Sequence, residues 1–114
     1  MSKAHDPITP GEILQTEFLE PLGITADRLA QATALPQTRL SEIIRVKRRI
    51  TTDTALRLSR AFGLSERFWL NIQNDYDIEL EHDEHDEELA LVERLVPAYG
   101  DDLSNGVSGL TRRA

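Results

Sequence analysis

Apolar positions recur every three or four residues along most of the chain, and capping or turn residues interrupt them at short intervals. Thr9-Pro10-Gly11-Glu12 reads as a capping box with proline at the first helical position. The helix it opens carries Ile13, Leu14 and Phe18 inward and is expected to stop at Pro21, with Gly23 punctuating the turn beyond. Thr25 caps a second helix, Ala26 to about Ala32, with Leu29 and Ala30 buried. Pro36 begins a third, running to about Arg45. Thr51 or Thr52, followed by Asp53, starts a fourth that ends at Phe62, with Gly63 just past it. Ser65 caps a fifth, Glu66 to about Asn74, and Phe68, Trp69, Ile72 and Tyr76 follow its spacing. No segment alternates apolar and polar residues long enough to form a strand. The pattern predicts an all-α fold: a compact five-helix domain over residues 8–78, followed by an acidic segment, 79–114.

The second and third helices are separated only by about Thr33–Leu35, which is a helix-turn-helix arrangement. On a helical projection of the third, Leu40, Ile43 and Ile44 share one arc, expected to pack against helices two and four. Gln37, Thr38, Ser41, Glu42 and Arg45 share the other, with Arg39 at its edge. Such an arc can meet DNA. Glutamine pairs bidentately with adenine, arginine with guanine, and hydroxyls bond to several base edges. A solvated polar face would show the same arc.

Charge sharpens that picture. The 114 residues carry 13 basic and 20 acidic side chains, a net charge of −7. That total hides an asymmetry: residues 1–74 are net +2, residues 75–102 net −11, and residues 103–114 net +2. Five basic residues (Arg39, Arg45, Lys47, Arg48, Arg49) crowd residues 39–49 against one acid, Glu42. Arg45, Lys47, Arg48 and Arg49 sit at the end of the third helix and in the loop after it, where flanking phosphates lie when such a helix enters the major groove.

Other chemistries find little support. The absence of cysteine excludes a disulfide framework, a thiol nucleophile and thiolate metal sites. There is no glycine-rich phosphate loop and no His-Glu-x-x-His motif. Ser41 and Ser59 have no histidine near them in the helical reading, so triad logic fails and no enzyme is expected. No cofactor is expected either. No run of about 18 apolar residues exists to span a membrane, and Met1 to Pro10 lacks the apolar stretch of a signal peptide. The expected location is the cytoplasm, on the nucleoid.

With these features in place, residues 25–44 resemble the Cro/repressor-type (XRE) helix-turn-helix. Leu29-Ala30 matches its Leu-Ala pair, Leu35 the apolar residue after the turn, and Leu40-Ser41 the buried position with its polar neighbour. Ala34 stands at the turn position where glycine is usual. If the backbone there takes a positive φ, the alanine costs on the order of 1 kcal/mol. Wider motifs narrow the resemblance. Thr9-Pro10-Gly11-Glu12-Ile13-Leu14, Glu17-Phe18-Leu19-Glu20-Pro21-Leu22-Gly23, the stretch Ile50 to Gly63, then Phe68-Trp69-Leu70-Asn71-Ile72-Gln73 and Tyr76-Asp77 are similar to HigA-type antitoxins, also called virulence-associated protein I. The resemblance implies a homodimer that binds an inverted-repeat operator in its own promoter as double-stranded DNA. It also implies neutralisation of a HigB-type, mRNA-cleaving ribonuclease toxin. It assigns Gln37, Thr38, Ser41 and Arg45 to reading or approaching DNA, and Arg39, Lys47 and Arg48 mainly to phosphates. Trp69, Ile72 and Tyr76, with or without a sixth helix, are the candidate dimer surface, and Trp69 reads as either a core or a dimer-edge anchor. A solitary XRE-family regulator without a toxin remains an alternative. So does a protein-interaction module whose basic arc grips an acidic partner.

The acidic run Asp75 to Glu88 is open to three readings: a solvated helical face, a surface for a basic protein partner, or a metal site using His82 and His85. The last is weakest, because a metal needs fixed ligands, and no metal site is assigned. Leu89, Val92, Leu95 or Val96, and Tyr99 allow a sixth helix from about Asp86 to Val96. Residues 101–114 read as a mobile tail.

Overall fold

A computed structural model describes residues 7–45 and 48–97. The tail expected over 101–114 lies outside the described residues, as does Lys47. The chain divides into two units, Met1–Glu84 and His85–Ala114. Among the described residues the structure is helical and has no strand.

Helix α1 begins as expected. The Thr9 hydroxyl accepts from the Glu12 amide at 3.1 Å, and the Thr9 amide donates to Glu12 Oε1 at 3.1 Å. The helix has three parts: an α-helical turn, Pro10–Ile13, a π-helical stretch, Leu14–Leu19, and a final α-helical turn, Glu20–Leu22. It therefore passes through Pro21 by one residue. Proline has no N–H to donate to the carbonyl four residues back, and the widened π stretch lies immediately upstream of it. Gly23, at φ 67°, ends the helix.

Helix α2 spans Ala26–Thr33, capped by the Thr25 hydroxyl on the Arg28 amide at 3.0 Å. Helix α3 spans Gln37–Ile44, with Pro36 as its N-cap residue. Helix α4 spans Thr52–Phe62, with Thr51 as its N-cap and Gly63, at φ 68°, as its stop. Helix α5 spans Phe68–Ala90, far beyond the expected end at Asn74. Nothing between Asn74 and Ala90 is a glycine or proline, and the glutamates there are good helix formers. Its regular geometry is broken only at His85, at φ −131° and ψ 22°. The helix expected over Asp86–Val96 stops at Ala90. The residues that follow expose Leu91, Val92 and Leu95 at 82%, 72% and 84%, so no buried face supports further turns.

The core of the first unit is mostly aliphatic: Leu14, Leu19, Leu29, Leu35, Leu40, Ile43, Ile50 and Leu58 are buried, together with Trp69. Phe18, Phe62 and Phe68 ring Trp69 with centroid separations of 5.1, 6.3 and 5.3 Å, joining α1, α4 and α5. Helix α3 packs on α2, as expected, but its second close neighbour is α1 where α4 was anticipated. Gly11 allows this. A Cβ there would strike the Ile43 carbonyl group, coming 2.8 Å from its carbon and 2.9 Å from Ile44 Cα. The α1 backbone thus lies directly on the end of α3, leaving the opposite face of α3 uncovered.

Candidate nucleic-acid interface

The turn between α2 and α3 fixes the angle at which α3 is presented. Ala34 adopts φ 60°, the left-handed conformation, so the alanine does stand where glycine would be unstrained. The Leu35 amide donates to the Ala30 carbonyl at 3.2 Å, and Leu35 is buried behind the turn. A contact distant in sequence reinforces it: Arg57 on α4 donates from Nη1 to the Thr33 carbonyl at 2.9 Å. The same guanidinium gives Nε to both Asp53 carboxylate oxygens at 3.0 Å. A carbonyl left without an intrahelical partner at the end of α2 is thereby satisfied by a charged donor.

Within α3, Leu40 and Ile43 are 0% and 1% exposed, which locks the helix rotationally. Gln37, Thr38 and Arg45 are exposed; Arg39, Ser41 and Glu42 are half-buried. Gln37, Thr38, Ser41, Glu42 and Arg45 line one shared depression. The structure thus brings together Gln37, Thr38, Ser41 and Arg45 as one polar surface, with Arg39 beside it. Arg48 is exposed in the following loop and donates from Nε to Glu42 Oε1 at 2.8 Å. Lys47 has no described position.

The candidate dimer residues separate. Trp69 is 0% exposed and belongs to the core, where it cannot meet a second subunit; its large apolar ring seals three helices instead. Ile72 and Tyr76 are half-buried and line a shallow groove with Ile8 and Ile13.

Several residues that shape this surface are not evident from sequence spacing. Gln73 is only 3% exposed and accepts from the Ile50 amide at 2.8 Å. Its Nε2 donates to Asp77 Oδ1 at 3.0 Å, and Asp77 Oδ2 pairs with Arg49 Nη2 at 2.9 Å. The loop after α3 is therefore fastened to α5. A buried glutamine on an otherwise apolar helix face was the available clue. Among the described residues, no group of three or more His, Asp or Glu is arranged to hold a metal ion. No helix there is long and apolar enough to cross a membrane.

Two short helices joined at a left-handed turn, the second exposing a polar and basic face, define a helix-turn-helix unit. A family model described as helix-turn-helix matches residues 17–69. The chain is 49% identical over 73 residues to virulence-associated protein I of Dichelobacter nodosus, covering 64% of this chain and 68% of that protein. It is 37% identical over 89 residues to antitoxin HigA-1 of Vibrio cholerae, covering 78% and 84%. A solved structure of the Pseudomonas aeruginosa antitoxin HigA with the higBA promoter aligns with a TM-score of 0.73 at 35% identity, covering 79% of this chain and 99% of that one. The chain belongs to the HigA-type branch of the XRE helix-turn-helix family.

Proposed function

We propose that this protein is a sequence-specific DNA-binding repressor of the HigA type, which binds double-stranded operator DNA and autoregulates its own operon. One observation carries the reading: α3 buries Leu40 and Ile43 completely while presenting Gln37, Thr38, Ser41 and Arg45 together on the opposite face. A helix held by one face on α1 and α2 can enter a major groove with the other. Glutamine, arginine and the hydroxyls then address base edges, and Arg39, Lys47 and Arg48 address phosphates. Support comes from the HigA relative solved with the higBA promoter.

The working form is a homodimer, because two half-sites about 34 Å apart double the contacts of a single small unit. Ile72 and Tyr76 on α5, beside the exposed Ile8, are the contact surface we assign to the second copy. As an antitoxin, the protein also neutralises a HigB-type ribonuclease toxin. This role is supported by the HigA-1 relative and is tested by co-purification with the product of the adjacent gene. The role is one of binding, without catalysis, and it is exercised in the cytoplasm on the nucleoid.

The test is fluorescence anisotropy of the purified protein on its own upstream DNA against a scrambled duplex at two salt concentrations. Selective, salt-sensitive binding to the upstream DNA is expected. Equal or absent binding to both duplexes would sink the repressor and leave the basic arc to a protein partner.

A further inference from the structure

Both arginines described in the loop after α3 are held by carboxylates. Arg48 is paired with Glu42 on α3 at 2.8 Å, and Arg49 with Asp77 on α5 at 2.9 Å. Asp77 is aimed. One of its oxygens accepts from Gln73 Nε2, which leaves the other to face Arg49. Gln73 cannot turn away, because it is 3% exposed and its own oxygen takes the Ile50 amide. One buried side chain therefore fixes both the loop backbone at Ile50 and the carboxylate opposite Arg49.

The Arg49 side chain is 59% exposed and that of Asp77 35%. Ion pairs this open to water are weak. A DNA phosphate carries the same single charge but offers the guanidinium two free oxygens, where Asp77 turns only one toward Arg49. We propose that Asp77, positioned by Gln73, restrains DNA affinity by occupying Arg49 where a backbone phosphate would otherwise take it. The inference rests on the DNA-binding reading above. Asp77 touches no base, so it changes affinity for operator and random DNA alike. Phosphate contacts carry no sequence information. The device would limit how much protein is held on random DNA without altering the base contacts of α3.

The experiment uses the full chain, its own upstream duplex and a scrambled duplex, titrated across a salt series. Asp77→Asn should tighten both duplexes about threefold to tenfold and steepen the log–log salt slope by about one unit. Asp77→Glu, which keeps the carboxylate, should return the wild-type slope. In an Arg49→Gln background, Asp77→Asn should no longer tighten binding. An unchanged slope in Asp77→Asn overturns the proposal. So does equal tightening with and without Arg49, which would mean that Asp77 acts by general charge. Should Asp77→Asn lose its helical circular dichroism, Asp77→Ser serves the same test. The wild type separates this inference from the reading beneath it. A wild type that binds neither duplex overturns both, whereas a selective wild type with an unresponsive Asp77 overturns only the restraint.

Discussion

At the scale of single residues, the turn between α2 and α3 carries a cost that the sequence already announces. Ala34 sits at φ 60°, where its Cβ crowds the backbone. It is exposed, so a change there disturbs no packing. Ala34→Gly should stabilise the protein by about 0.5–1 kcal/mol, the relief of strain outweighing the entropy of a freer unfolded chain. Urea denaturation would check this, and a lower midpoint would mean that the strain is absent. On α3, two neighbouring substitutions should part company. Gln37→Ala should relax preference at one base pair by about 1–3 kcal/mol if, as proposed, its amide pairs with a base edge. Arg48→Ala should weaken operator and random DNA together and flatten the salt slope by about one unit. Identical behaviour of the two variants on both duplexes would refute the placement of α3 in the groove.

At the scale of elements, what could be read from the chain and what could not divide along sequence separation. Helix starts were legible because their signals are local: Thr9 with Glu12, Thr25 with the Arg28 amide and Thr51 before α4 each act within three residues. The polar arc of α3 was legible because helical periodicity alone sorts Leu40 and Ile43 from Gln37 and Ser41. The length of α5 was not, since no stop signal follows Asn74, and apolar spacing had been the only guide to its end. Trp69 stayed open between core and dimer edge for a related reason: spacing places it on a helix face but cannot say that three phenylalanines enclose it. Least visible were the ties spanning more than twenty residues, Arg57 to Thr33 and Gln73 to Ile50. The first yields an element-scale prediction. Arg57→Ala removes the donor from the end of α2 and from Asp53, and should cost about 1–2 kcal/mol in thermal or urea unfolding. Asp53→Ala, which spares the donor to Thr33, should cost less. Equal losses would show that the exposed ion pair, rather than the helix end, carries the effect.

At the scale of the whole molecule, the opposition of charge along the chain becomes a question of division of labour. All assigned DNA contacts, and the Gln73–Asp77 tie that steadies the loop behind them, lie in the unit Met1–Glu84. The unit His85–Ala114 contributes six acids and three arginines and exposes Leu91, Val92 and Leu95. A chain ending at Glu84 keeps every residue of the buried core, so it should retain its cooperative unfolding. It should bind DNA as tightly as the full chain or somewhat more so, because a net negative charge has been removed from a protein that must approach phosphates. Light scattering on the same truncation locates the dimer contact. If Ile72 and Tyr76 carry it, the shortened chain stays dimeric and its operator affinity holds. A monomer with weakened binding would move the contact to the exposed apolar residues beyond His85, and Ile72→Asp in the full chain would then leave the dimer intact.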